Sequence, residues 1–263
     1  MSFDELKYNV AVATRILADL GLAAGMNNSV GHVSQRVPDD PNLFIVKGRG
    51  YNMDVVGLMA PDDMVVVDLE GNKVEGPSGI SQCYEVKMHS CIYRARPDVQ
   101  SVVHVHPRFT ILMSVLGKTI RPMSNSGAQF VRKAIPIYPH NKLILTDEDG
   151  SGVARTLGDG RAVLLKGHGA ATVGNSMQES VTGMLHLEEQ AILNTYASGI
   201  MGLEHPYMSD EMLDEARSQP SYEQLPHFKN SYDPTRRTAN GFWAYHVEQA
   251  ERSLKAQLKD KKR

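Results

Sequence analysis

A run of β-branched residues closed by a proline, Ser101-Val-Val-His104-Val-His106-Pro107, sets the frame for this chain. Val102, Val103 and Val105 predict a strand, and Pro107, which cannot donate to a ladder, ends it. Side chains two apart on a strand share a face, so His104 and His106 project side by side. Two neutral imidazoles held that way begin a metal site. The plainer alternative has each ring capping the strand or half-buried against a backbone partner.

Around this strand the chain alternates between the two periodicities. Leu6, Val10, Ala13, Leu17 and Leu20 predict an amphipathic helix over 4–20, ending near Gly21. A loop rich in glycine and small polar groups, from Gly25 to Arg36, leads into a short strand and offers donors that suit an anion, although such turns are common. Leu43 to Val46 predicts a buried strand, followed by Lys47-Gly-Arg49-Gly, either a carboxylate clamp or an exposed turn. Met64 to Val74 reads as a hairpin with Glu70-Gly-Asn72 at its turn. Pro77 to Ser81 is expected to open a helix carrying Cys83, Glu85, Met88, His89, Cys91, Ile92 and Tyr93 and stopped by Pro97. Phe109 to Leu116 predicts a short helix, and Ala134 to Tyr138 at most an edge strand because of Pro136. Further helices are expected at 151–158, 176–197 (Ser176 and Glu179 forming a capping box), 209–217 and 241–258. Ala162 to Lys166 is a strand that runs into Gly167-His168-Gly169, where the small neighbours let the histidine approach a ligand closely.

This order lacks the regular alternation of a doubly wound sheet. It predicts an α/β protein: a three-layer α/β/α sandwich around a mixed, mainly antiparallel sheet. Residues 1–200 read as one catalytic domain, and 201–263 as a helical extension packing on that domain or on a neighbouring subunit. A net charge of −2 over 263 residues marks no nucleic-acid or membrane surface. No apolar run reaches spanning length, and the N-terminus lacks a signal-peptide layout. Cys83 and Cys91 fit no zinc or redox spacing and read as packing residues, so the expected location is the cytoplasm.

A helix thus carries Glu85, the next strand end His104 and His106, and a later strand end His168. Three imidazoles with a fourth position open describe a catalytic metal site. The carboxylate is a fourth ligand, a general acid/base, or both in turn. For His89, one turn after Glu85, a hydrogen bond to Glu85 or a carbonyl is expected rather than metal.

The stretch Glu85-Val-Lys-Met-His-Ser-Cys-Ile-Tyr-Arg-Ala-Arg-Pro-Asp-Val-Gln-Ser-Val-Val-His-Val-His106, with the later Leu164-Leu-Lys-Gly-His-Gly169, resembles the class II aldolase/adducin family over about residues 8–200. The resemblance implies that His104, His106 and His168 bind one divalent metal per subunit (zinc, manganese, iron or cobalt) and that Glu85 is the catalytic acid/base. It also implies a C4 homotetramer with sites at subunit interfaces. For Arg236, Arg237, Trp243 and Tyr245 two readings stay open: they reach a neighbouring subunit's site, or they only seal the assembly.

The departures from the sugar-phosphate pattern bear on the substrate. Asn28-Ser29, Lys47-Gly48-Arg49 and Cys83-Tyr84 stand where such members hold phosphate, and the loss of the hydroxyl pair before Glu85 removes phosphate donors. Asn28, Ser29, His32, Lys47, Arg49 and Tyr84 are the expected substrate contacts, better suited to a planar, multiply carboxylated or hydroxylated ring. With the Trp243-Ala-Tyr245 tail, this pattern is similar to the family's decarboxylase branch, which acts on hydroxylated aromatic or pyridine dicarboxylates such as dihydroxyphthalate. The implied reaction is a carbon–carbon lyase: carbon dioxide leaves, the charge delocalises into an adjacent ring oxygen stabilised by the metal, and protonated Glu85 delivers a proton to carbon. The alternatives are an aldolase for a non-phosphorylated hydroxy acid, a sugar-phosphate aldolase or epimerase, and a non-enzymatic adducin-like module.

Overall fold

A computed structural model describes residues 1–23, 30–50, 55–221, 224–228 and 241–260. Seven helices among them are α1 (Phe3–Asp19), α2 (Val86–Ala95), α3 (Arg108–Leu116), α4 (Asp147–Leu157), α5 (Met177–Met201), α6 (Asp210–Ser218) and α7 (Gly241–Asp260). The strands are β1 (Gly31–Val37), β2 (Asp40–Arg49), β3 (Met64–Asp68), β4 (Lys73–Glu75), β5 (Ser81–Gln82), β6 (Ser101–Val105), β7 (Ile137–Tyr138), β8 (Ala162–Leu165) and β9 (Gly169–Gly174). They form one sheet in the order β4-β3-β2-β1-β6-β9-β8-β7, with β5 pairing to β2. Only the edge pair β7–β8 is parallel, so the sheet is mixed and mainly antiparallel as expected.

Strand alternation divides the interior into two cores. Val33, Ile45, Met64, Val66, Val103, Val105, Leu164 and Ala170 face one side, where α1, α3, α5 and α7 contribute Leu6, Val10, Met113, Met184, Leu187, Ala250 and Leu254. Phe44, Val46, Val65, Val67, Val102, Val163, Leu165 and Ala171 face the other, against Met88, Ile92 and Tyr93 of α2 and Val153 and Leu157 of α4. This is the three-layer sandwich. His104 lies between Val103 and Val105 in sequence, so it points with Val102 into the α2–α4 layer.

Helix boundaries follow local chemistry. At the start of α1, Ser2 Oγ accepts from the Glu5 N–H at 3.3 Å while the Ser2 N–H donates to Glu5 Oε2 at 2.8 Å, a reciprocal cap. Buried Arg15 ties α1 to the tail helix α7 through Ser253 Oγ at 3.1 Å.

Four local expectations are corrected. Pro77–Ser81 opens no helix: residues 81–82 add a short strand to β2, and α2 begins only at Val86. Cys83 therefore precedes α2 and does not share a helix with Cys91; both are free and buried. Lys47 and Arg49 stand on β2 rather than in a turn. The fourth helix begins at Asp147, capped by Thr146 Oγ1, instead of at 151. Its glycines argue against a helix by propensity, yet Gly150 is where α4 crosses α2: a Cβ there would lie 2.4 Å from the Lys87 carbonyl oxygen. Strand β9 carries only the weak signal of Thr172-Val173, since the rest of Gly-Ala-Ala-Thr-Val-Gly has little β-propensity; it is nevertheless central and fully buried.

Candidate metal centre

Three segments deliver the site. Strand β6 ends at Val105, and His104 and His106 point to one side of it. The turn between β8 and β9 carries His168. Glu85 occupies the N-cap position of α2, rather than its body, with no cap bond from its side chain. Glu188 of α5 fixes the exit from β6: it accepts from the Phe109 and Thr110 N–H groups at 3.0 and 2.8 Å and from Thr110 Oγ1 at 2.7 Å, capping α3 just past His106-Pro107.

The donor atoms of Glu85, His104, His106 and His168 all lie within 4.8 Å of one another. His104 Nε2 is 3.1 Å from His106 Nε2 and 3.3 Å from Glu85 Oε2, and His168 Nε2 is 3.6 Å from Glu85 Oε1. Bonds of about 2.1 Å to a tetrahedral cation put donors about 3.4 Å apart, so these separations fit one ion. Tautomers agree with that fit. His104 Nδ1 donates to the Ala170 carbonyl at 3.0 Å, which leaves a lone pair on Nε2 facing the cluster. Both ring nitrogens of His168 are buried without a hydrogen-bond partner, an arrangement that costs free energy unless something else binds them. The inward lone pair of His104, the unpartnered nitrogens of His168 and the Glu85 carboxylate, gathered with His106, call for positive charge at the centre.

Electrostatics point the same way. Burial, and then the cost of placing a positive charge beside His104 and His168, pushes His106 down to about 3, so its ring is neutral and able to ligate at neutral pH. Burial would raise the Glu85 carboxyl, but the proximity of the His104 ring and then of the His168 ring outweighs it and holds Glu85 well below the usual carboxylate range. Glu85 is 4% exposed, and its Oε1 also accepts from the Ile144 N–H at 3.0 Å. It rests as an anion.

Close approach of the segments depends on Gly169. A Cβ there would lie 2.5 Å from the Val105 carbonyl oxygen, 2.8 Å from His106 Cδ2 and 3.2 Å from His104 Cε1.

The expected substrate contacts are placed unevenly. Asn28, Ser29, Arg236 and Arg237 lie outside the described residues. His32 is buried on β1, directly opposite His104 in the sheet register, with ring centroids 5.1 Å apart. Lys47 is buried on β2, near enough for its charge to bear on both His32 and Cys83. Arg49 stacks on the Tyr84 ring, its guanidinium carbon 4.2 Å from the centroid, and Tyr84 is exposed. Trp243 packs against the core beside α1, and Tyr245 is exposed.

His89 does not bond to Glu85 or to a carbonyl as expected. Its Nε2 meets His32 Nδ1 at 2.7 Å and its Nδ1 meets Ser34 Oγ at 2.7 Å. Burial pushes it down to about 3. Sequence reading missed this partnership. Its trace is the alternation His32-Val-Ser34-Gln-Arg36 in β1 opposite the one-turn spacing of His89 and Tyr93.

Residues 9–194 match the model of the Class II Aldolase and Adducin N-terminal domain. The chain is 30% identical over 200 residues to a 3,4-dihydroxyphthalate decarboxylase of Arthrobacter keyseri, covering 73% of this chain and 79% of that one. It is 31% identical over 190 residues to a protein of the same name from Rhodococcus jostii, covering 69% and 76%. Among solved structures, an L-fuculose 1-phosphate aldolase from Glaciozyma antarctica shares the fold at a TM-score of 0.68 and 21% identity, over 97% of this chain and 88% of that one. A match of this extent, laid over the cluster of three imidazoles and one carboxylate, places the chain in the class II aldolase and adducin N-terminal domain family.

Proposed function

We propose that this protein is a divalent-metal-dependent decarboxylase of a hydroxylated aromatic or pyridine dicarboxylate, of the dihydroxyphthalate type. The observation that carries the proposal is the cluster of three imidazoles and one buried carboxylate whose donor atoms lie within 4.8 Å of one another. The family supports a lyase, and the names of the two similar decarboxylases support the proposed substrate class.

His104, His106 and His168 would hold the cation, which when bound supplies Lewis-acid stabilisation of negative charge on a substrate oxygen. Because Glu85 rests as an anion, it starts as a base rather than as the proton donor. It takes the proton of the ring hydroxyl ortho to the scissile carboxylate. The electron-rich ring then accepts that proton from Glu85 at the carbon bearing the carboxylate. The carbon–carbon bond breaks next, its electron pair restores the aromatic ring as a phenolate, and carbon dioxide leaves. Glu85 ends as the anion it began as, and solvent protonates the phenolate. Lys47 and Arg49 supply positive charge for the carboxylate that stays, Tyr84 a flat surface, and His32, Asn28 and Ser29 polar contacts.

Metal analysis coupled to a carbon dioxide release screen on dihydroxyphthalates and pyridine dicarboxylates tests this reading. Release with about one metal per chain is expected. Glu85→Gln is expected to retain the metal and to lose turnover by at least about 100-fold. Full metal occupancy with carbonyl products instead of carbon dioxide would establish the aldolase for a non-phosphorylated hydroxy acid. A chain that takes up no metal would be an interaction module.

We also propose a homo-oligomer, in keeping with the expected tetramer. Leu112, Val115 and Leu116 of α3 and Tyr196, Ile200 and Met201 at the end of α5 expose apolar area on two helices that pack together through Phe109 and Tyr196.

A further inference from the structure

Beside the metal centre lies a second group of potential ligands, His32, Cys83 and His89, whose donor atoms are also within 4.8 Å of one another. Its geometry is that of a hydrogen-bonded chain rather than a cation site. The 2.7 Å between His32 Nδ1 and His89 Nε2 is a hydrogen bond with a proton between the rings, shorter than the spacing of two ligands on one ion. Burial pushes the Cys83 thiol up to about 12, so it keeps its proton and offers no thiolate.

The chain continues from His89 Nδ1 to Ser34 Oγ at 2.7 Å and from Ser34 Oγ to the Tyr93 hydroxyl at 2.8 Å. All four side chains are buried. Its direction follows from the far end. Among the described residues, Ser34 Oγ is the hydrogen-bonding side-chain partner of the Tyr93 hydroxyl. A buried phenol that accepted from Ser34 would leave its own proton unpaired, which burial penalises. Tyr93 therefore donates to Ser34. The single Ser34 proton then goes to His89 Nδ1, which makes His89 the Nε2–H tautomer. His89 in turn donates to His32 Nδ1, which leaves His32 with its hydrogen on Nε2.

We propose that Tyr93, Ser34 and His89 are positioning residues that fix His32 as a neutral Nε2–H donor beside the metal centre, for a carboxylate or ring oxygen of the substrate. Register sets the donor's place: His32 pairs with His104 across β1–β6, so one imidazole serves the metal and its neighbour the substrate. Arg36 locks the far end. It donates to the Tyr93 carbonyl at 2.8 Å and to the Val99 carbonyl at 3.0 Å, with its guanidinium carbon 4.6 Å from the centre of the Tyr93 ring. In this arrangement His32 is neither a metal ligand nor a base. The identity of the oxygen it meets rests on the decarboxylase reading, but the direction of the chain does not.

Neutron diffraction from the whole protein exchanged into heavy water tests the direction, whatever the substrate. Deuterium is expected on Nε2 of both His32 and His89, and on Nδ1 of His104. Deuterium on Nδ1 of His32 would overturn the proposal. The functional arm uses two substitutions in the metal-loaded enzyme. His89→Leu removes the donor to His32 and is expected to lower kcat/KM about 10–100-fold with metal content unchanged. His89→Gln, whose amide can accept from Ser34 and donate to His32, is expected to recover most of that loss. Equal turnover for His89→Leu and wild type would also overturn the proposal. A wild-type enzyme releasing no carbon dioxide would refute the decarboxylase reading and leave the deuterium positions as the deciding result.

Discussion

Replacing Gly169 by alanine tests whether the metal centre depends on backbone contact between β6 and the start of β9. An added Cβ meets the Val105 carbonyl oxygen at 2.5 Å and His106 Cδ2 at 2.8 Å, where ordinary contact starts near 3.4 Å. The carbonyl and the imidazole must therefore retreat by about 0.9 and 0.6 Å in an interior that packs as densely as a crystal. Overpacking of this kind costs about 1–3 kcal/mol. At roughly 2–4 °C per kcal/mol for a chain of this size, the melting temperature should fall by roughly 2–12 °C. Metal affinity should suffer more, because ligand distances tolerate only about 0.2 Å. A movement of His106 several times larger should weaken binding at least about 10–100-fold. Metal titration followed by calorimetry reads the affinity, circular dichroism shows that the variant is folded, and thermal melting reads the cost. A folded Gly169→Ala variant with wild-type affinity would show that the β8–β9 turn can move freely relative to β6, contrary to the packing described above.

Acidification should unfold the metal-free protein early. Burial pushes His89 and His106 down to about 3 in the native chain, whereas an ordinary imidazole titrates near 6.5. The unfolded chain therefore binds these protons first. The stability is fully present above pH ~6.5 and is lost as the pH falls toward ~3, at about 1.4 kcal/mol per pH unit per ring. Urea midpoints at pH 7, 6 and 5 should report a loss of at least roughly 4 kcal/mol, the share of these two rings, and a flat profile would refute the neutral native rings. Glu188→Ala leaves the Phe109 and Thr110 N–H groups uncapped and should cost about 2 kcal/mol in urea unfolding, with Glu188→Gln retaining part of that stability. Ile200→Glu, placed on the apolar end of α5, should shift sedimentation toward smaller species; an unchanged mass would exclude that face from the assembly.

The clustered histidines were legible in the sequence because each stands beside a local signal. His104 and His106 sit in a valine-rich strand that Pro107 ends, and His168 stands between two glycines. Sheet class was legible for the same reason, through β-branched runs alternating with helical spacing. What escaped depends on non-local pairing. Strand β9 is a strand because β6 and β8 flank it, and its own small residues serve to let α5 and the histidines come close. The glycines of α4 weaken a helix signal that the crossing with α2 requires. The hydrogen-bonded chain from Tyr93 to His32 needs three facts at once: the β1 alternation, the helical spacing in α2, and which face of the sheet α2 covers. Only the first two are written locally.

The antiparallel register joins these parts into one device. Strand β6 lies between β1 and β9, so both flanks of His104 are specified: His32 pairs with it on one side, and on the other Ala171 pairs with it while the neighbouring Ala170 carbonyl fixes its tautomer. The same pairing sends Val103 and Val105 into the α1–α5 core. A one-residue slip would carry His104 into that apolar core and bring a valine to the metal, so misregister is penalised by burial of an unpaired imidazole as well as by lost packing. The geometry of the candidate site and the specificity of the fold here rest on the same hydrogen bonds. It follows that removing the metal should leave the β1–β6–β9 register intact, since two valine layers still define it, whereas disturbing the backbone at Gly169 should disturb both.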